Sequence, residues 1–165
     1  ADGWLGTSFS PDHPEALMQH LERGAKSAGR SLSDMELQTA CTVVIGEDVE
    51  GMIEAQRAKV AFQMGAMGSA KTNFYNEAVQ RAGYAEDAQA VQSLWVAGKR
   101  DEARKRVPDA MITKFGAIGT PEMVRERFKV YKKVGISSLA FRFADNDAKT
   151  NIAQLEQAMD LVRDL

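Results

Sequence analysis

The sequence predicts an α/β protein with parallel strands, and three stretches carry that prediction. Residues 120–143 run from a marked helix start, through a charged amphipathic helix, into the short apolar stretch Leu139 to Phe143. A helix that delivers the chain straight into a buried strand is the building step of a parallel sheet. Residues 36–45 alternate, with Leu37, Thr39, Cys41, Val43 and Ile45 on one face and Gln38, Ala40, Thr42 and Val44 on the other. The second set is small and semi-polar, which fits a strand packed on helices on one side and lining a confined interior on the other. Between these two strands the chain reads as helices for far longer than the dozen or so residues a minimal crossover needs.

Taken in order, Gly3 to Thr7 is the apolar end of a strand, followed by the polar loop Thr7-Ser8-Phe9-Ser10-Pro11. Asp12 to Ala28 is a helix with Pro14 near its start, Leu17, Leu21 and Ala25 as its apolar stripe, and Gly29 as its stop. Arg30 to Asp34 turns into the alternating strand, which Gly46 ends. A helix runs from Asp48 to about Gln63, and Met64 to Ala70 is too rich in glycine and small residues to prolong it. Further helices fall at Asn73 to Ala82, Ala85 to Ala97 and Lys99 to Arg106, before Val107-Pro108-Asp109 punctuates the chain. The excursion over residues 64–115 reads as an insertion that covers something. Gly116 to Gly119 reads as a loop leading to Thr120, a good N-cap, with Pro121 at the first helical position and Glu122 at the positive end of the dipole. Val124, Phe128 and Tyr131 form the packing stripe, and Gly135 stops the helix. A polar turn follows Phe143, and Asn151 to Asp164 is a terminal helix with Ile152, Leu155, Met159 and Val162 facing inward.

Composition sets the class. With 44% hydrophobic and 27% charged residues, the 165-residue chain has the make-up of one ordinary globular segment. Its net charge of -2, with both signs interspersed, offers no field to nucleic acid or to an anionic membrane. One cysteine, Cys41, cannot form an internal disulfide, and no apolar run approaches a membrane span, which fits a reducing cytoplasm. The N-terminus has neither the basic nor the apolar region of a secretory signal, and its abrupt start in a Gly-rich apolar stretch suggests residues upstream.

Several residue types invite a chemical reading. Gly65 to Thr72 resembles a phosphate-binding loop, but Ala70 stands where the second glycine belongs and a helix rather than a strand precedes it. His13 and His20 lack metal-ligand spacing and companions, and Cys41, mid-strand, reads as an inert thiol. Thr7 and Ser8 follow a strand, where parallel α/β folds hold ligands, although a turn leading to a helix explains them equally well. Arg142, near the end of a strand between two phenylalanines, either pairs an internal acid or binds an anion. Lys71, Asn73, Phe74 and Tyr75 would suit a lid beside the Gly-rich break, helix capping and core packing being the simpler account.

An ordered set of short motifs adds to this. Ala1-Asp2-Gly3-Trp4 with Thr7, Ala28-Gly29-Arg30, Gly65-Ala66-Met67-Gly68-Ser69 with Asn73-Phe74-Tyr75-Asn76, Ala82-Gly83-Tyr84, Val107-Pro108-Asp109, Gly119-Thr120-Pro121-Glu122 and Gly135-Ile136 together resemble the luciferase-like monooxygenase superfamily, most closely its branch of coenzyme F420-dependent oxidoreductases. The resemblance implies the C-terminal portion of a (β/α)8 TIM barrel, with Gly3 to Gly6, Glu36 to Ile45 and Leu139 to Phe143 as strands six to eight and a helical insertion after strand seven. It implies hydride transfer between coenzyme F420, or alternatively FMN, and a small organic substrate, with Thr7 and Ser8 by the cofactor or substrate at the barrel mouth. Arg142, Asn73 and Lys71 match no established binding position of the family, and residue type and place alone assign them to the substrate at the same mouth. The resemblance implies that the catalytic residues lie elsewhere in a longer protein, and that this piece alone is inactive. Its partners would be the missing N-terminal portion of the barrel or further copies in a homo-oligomer. A non-catalytic module acting in self-association and an unrelated small α/β binding domain are the competing readings.

Overall fold

The computed structural model describes residues 1–69, 72–143 and 147–165. Strand β2 (Glu36–Ile45) is its spine. Strand β1 (Gly3–Gly6) pairs with the first part of β2, from Gly3 opposite Glu36 to Gly6 opposite Thr39. Strand β3 (Gly116–Gly119) pairs with the last part, from Gly116 opposite Thr42 to Gly119 opposite Ile45. Strand β4 (Ser138–Phe143) pairs with the middle, from Ser138 opposite Gln38 to Phe143 opposite Val43. All three pairings are parallel, as expected. Because residues 38–39 pair with both β1 and β4, and residues 42–43 with both β3 and β4, β1 and β3 share one edge of β2 while β4 takes the other.

Strand β3 corrects the sequence reading, in which residues 116–119 form a loop. Its four residues are all buried. Two glycines and no alternation leave no local strand signal; the unpaired end of β2 imposes the conformation. Strand β4 is also less buried than expected, since Ala140 and Arg142 are exposed.

The odd-numbered face of β2 forms the main core. Leu37, Cys41, Val43 and Ile45 pack against Phe9, against Met18 of helix α1 (Glu15–Ser27), and against Val124, Phe128 and Tyr131 of helix α7 (Pro121–Lys133). Thr120 caps α7 by accepting from Met123 N at 3.4 Å, and Phe128 stacks on Phe141 with ring centroids 5.3 Å apart. Helix α8 (Ala148–Val162) is anchored by Gln154, whose amide accepts from Ile45 N at 2.7 Å and donates to Ile45 O at 2.9 Å. Its stripe departs from expectation: Ile152, Leu155 and Met159 are exposed. Among the described residues β4 pairs only with β2, so nothing beyond it receives that face.

From β2 to β3 the chain is helical: α2 (Val49–Ala66), α3 (Phe74–Val79), α4 (Ala85–Val96), α5 (Arg100–Arg106) and α6 (Asp109–Thr113). Helix α2 runs past the expected break at Met64. Gly65 is a notch for Trp95, whose Cγ lies 2.2 Å from where a Cβ would stand, and the chain turns instead at Gly68, where φ is +90°. Ala61, Met64, Val79, Val91, Val107 and Met111 form this unit's own core, which reaches the sheet at Ile118.

One ion network ties three remote segments together. Asp12, in the loop after β1, lies 2.5 Å from Arg127 Nη1 of α7 and 3.1 Å from Lys114 Nζ, and Arg127 also donates to the Lys114 carbonyl. Burial raises the Asp12 pKa, but hydrogen bonds and charge from Arg127 and Lys114 outweigh it and hold the carboxyl below its ordinary value. A depressed folded-state pKa stabilises the fold above the unfolded value of about 4, and that contribution fades as pH falls through the folded value. Asp12→Asn is therefore expected to lower stability at pH 7 by about 1–3 kcal/mol, because it leaves the buried Arg127 without its counter-charge. The variant should also lose less stability than the parent on acidification below about pH 4; urea unfolding across pH measures both effects.

Candidate functional site

The candidate site follows from strand register. Strand β1 ends opposite Thr39 and β3 begins opposite Thr42, so Ala40 and Cys41 lie in a gap on that edge of β2. The loop after β1 leaves the sheet there. Ser8 has φ +54°, in the left-handed region that a serine occupies at a cost of about 1–3 kcal/mol. The turn brings Thr7, Ser8 and Phe9 onto a cleft of about 110 Å³ together with Ala40 and Thr42 of β2 and Arg142 of β4. Thr42 and Arg142 are direct cross-strand partners, so they share a face. The opposite wall is helical: Val60, Gln63 and Met64 from α2, Tyr75 and Val79 from α3, and Met111 with Phe115.

Three of the five residues singled out from sequence, Thr7, Ser8 and Arg142, thus come together. Arg142 is exposed, and the structure records no ion pair or hydrogen bond for it, so of the two sequence readings the internal ion pair is absent from the described residues. Asn73 does not line this cleft. It is buried, accepts from Asn76 N at 3.1 Å to cap α3, and donates to the carbonyls of Gln63 at 3.0 Å and Met64 at 2.8 Å. Its amide is therefore engaged in joining α2 to α3, the helix-capping role that the sequence offered as the simpler account beside substrate binding. Asn76 continues that joint by donating to Met64 O at 3.0 Å and Ala88 O at 2.7 Å. Lys71 lies outside the described residues. Thr42 belonged to the semi-polar strand face that the alternation had marked; Met111 and Phe115 had no local signal, because only the return of the chain to β3 brings them here.

The other candidates are inert in this geometry. Burial pushes the Cys41 thiol up to about 12, against the lowering effect of Tyr131 and Arg127, so the sulfur stays protonated. Among the described residues no group of three or more His, Cys, Asp or Glu could hold a metal, and no helix is long and apolar enough to cross a membrane. A more voluminous concavity, about 720 Å³, lies elsewhere, between α7, β4 and α8. Lys132 is its sole charged lining residue and the rest is mostly aliphatic and aromatic. The smaller cleft is the candidate site, because a loop after a parallel strand, hydroxyls and a cation without a recorded partner among the described residues converge there.

Residues 1–138 match the family described as luciferase-like monooxygenase, and the chain belongs to that family. Its likeness runs to the F420-dependent members. A Mycobacterium tuberculosis protein provisionally named coenzyme F420-dependent oxidoreductase is 28% identical over 156 residues, covering 93% of this chain and 45% of that protein. The 5,10-methylenetetrahydromethanopterin reductase of Methanopyrus kandleri is 29% identical over 141 residues, covering 84% of this chain and 38% of that protein. The solved structure of the coenzyme F420-dependent tetrahydromethanopterin reductase from Methanopyrus kandleri superposes with a TM-score of 0.71 at 25% identity, covering 96% of this chain and 44% of that one. An F420-dependent secondary alcohol dehydrogenase holding an F420–acetone adduct superposes at 0.66 with 18% identity, over 99% of this chain and 44% of that one, a likeness of fold alone. The chain spans less than half the length of these relatives.

The contrast between Asn73 and Arg142 can be measured. Asn73→Ala is expected to cost about 1–3 kcal/mol, because it removes the side-chain cap of α3 and the donor to the Gln63 carbonyl. Arg142→Gln is expected to change stability by less than about 0.5 kcal/mol. Urea midpoints of the two variants check both values.

Proposed function

We propose that this chain supplies strands six to eight of a (β/α)8 barrel, with residues 64–115 as a helical insertion after strand seven, in an oxidoreductase that uses coenzyme F420. The single observation that carries this reading is the cleft at the ends of parallel strands in a chain whose relatives are named for F420. In such a barrel β1, β2 and β4 are consecutive staves, the even-numbered residues of β2 and β4 and the odd-numbered residues of β1 line the lumen, and ligand sits at the C-terminal mouth. The exposure of Leu5 and Ala140 on that face agrees with a lumen whose other wall lies outside this chain.

The residues present fit one border of a deazaflavin. A cleft of about 110 Å³ does not enclose a tricyclic ring, yet the small side chains of Ala40 and Ala140 leave a flat approach along the sheet, with Thr7 and Ser8 hydroxyls at its end. Bound there, F420 would supply the hydride chemistry, transferring it to or from a small organic substrate. The roles of this chain are to hold the ring edge through Thr7 and Ser8, to receive the substrate beside Arg142, and to exclude water with the apolar wall of α2, α3 and Phe115. FMN is the alternative cofactor. The catalytic acid or base belongs to the rest of the barrel, so this chain alone turns over no substrate.

A second reading, a non-catalytic piece that self-associates, draws on the open edge of β4 and the exposed apolar stripe of α8. Light scattering with intact-mass analysis separates the two: a companion polypeptide carrying the remaining strands favours the barrel, a homo-oligomer of the 18.1 kDa chain the module. Titration with F420, followed by its visible absorbance and fluorescence, is expected to give a saturable change that FMN produces only at higher concentration. Absence of any change with either cofactor in the completed barrel would remove the oxidoreductase reading.

A further inference from the structure

We infer that the substrate taken by this cleft is a small carboxylate with an apolar body, bound head-first at Arg142; this rests on the reading of the cleft as the substrate's side of the mouth. The argument begins with charge. Among the described residues Arg142 is the one formally charged residue lining the cleft, no Asp or Glu stands beside it, and the guanidinium has no recorded hydrogen bond or ion pair. A guanidinium left unpaired beside low-polarity walls is a standing site for an anion, and its planar fork matches a carboxylate in two parallel hydrogen bonds.

Hydroxyls complete the head-group site. Thr42 lies directly across from Arg142 at a strand spacing of about 4.8 Å, and Thr7 and Ser8 enter from the gap in the neighbouring edge. These groups can donate to an anion that Arg142 holds. The body of the ligand then meets Val60, Met64, Val79, Met111 and Phe115, which offer no polar side-chain atom other than thioether sulfur. The part of the cleft built by this chain is about 110 Å³, well below the ~300 Å³ from which drug-sized sites begin, so what it takes of the ligand is a head group with a short apolar segment. Ala40 keeps the floor shallow, and Gln63 and Tyr75 are the remaining polar positions, on the far wall from Arg142.

An anion in this position could also come from the cofactor, so the test separates the two sources. Methyl-labelled methionine NMR on the protein places reporters inside the cleft at Met64 and Met111 and in the apolar groove of α8 at Met159. Hexanoate is expected to shift Met64 and Met111 saturably, at least about tenfold more tightly than hexan-1-ol, as one charge-assisted hydrogen-bonded contact provides. Arg142→Gln should abolish that tenfold preference while leaving the hexan-1-ol affinity unchanged, and raised salt should weaken hexanoate alone. An unchanged preference in the variant, or hexanoate shifts confined to Met159, overturns the proposal. So does competition between hexanoate and F420 for the same shifts, which would assign the anion site to the cofactor. Failure of F420 to bind at all would instead remove the oxidoreductase reading and leave the hexanoate result standing.

Discussion

Every feature of this chain depends on how the two edges of β2 are shared. Its ten residues must pair with three strands, and they do so by giving β4 one whole edge and dividing the other between β1 and β3. That division leaves residues 40–41 without an edge partner, and the chain after β1 departs at that level. A longer β1 would close the gap and move Thr7 and Ser8 into the ladder. The cleft is thus a consequence of register, because the point at which one short strand stops and another starts decides which side chains face one another.

The same strand keeps two environments apart. Its odd residues enter a core with α1 and α7 in which Cys41 and Tyr131 are fully enclosed. Its even residues keep a semi-polar face, and a one-residue slip would exchange the two sets. The loop that carries Thr7 and Ser8 is held to the far side of the sheet by Asp12, whose pairing with Arg127 and Lys114 binds it to α7 and to the chain entering β3. The ion network therefore couples the position of the ligand loop to the stability of the main core.

What could be read from the sequence was set by how local the signal is. The alternation of residues 36–45 identified the strand and both of its faces, and the Thr120-Pro121-Glu122 start identified α7, because caps and periodicity act over a few residues. Gly116 to Gly119 could not be recognised as a strand, since its conformation comes from the vacant end of β2. Gly65 looked like a break and is a contact, because Trp95 lies thirty residues away in sequence. The site divides in the same way. Residue type gave Asn73 and Arg142 similar promise, yet the Asn73 side chain has three hydrogen bonds inside the fold and that of Arg142 has none among the described residues, a distinction that exists only once the chain has closed around them.

Two of the concave surfaces left after folding differ in what is left unsatisfied. In the cleft the unsatisfied group is a side-chain cation, which a small anion can meet. Along the groove of α7, β4 and α8 the lining is carbon, and beside it stands the outer backbone edge of β4, whose amides and carbonyls call for another strand. Size alone would rank the groove first. Chemistry reverses the order: the larger hollow is suited to more polypeptide and the smaller one to a ligand. The two surfaces lie on opposite faces of β4, since Phe141 and Phe143 point into the groove while Arg142 points into the cleft. A single six-residue strand therefore borders both the groove and the candidate cleft, and any disturbance of its pairing should be felt in both.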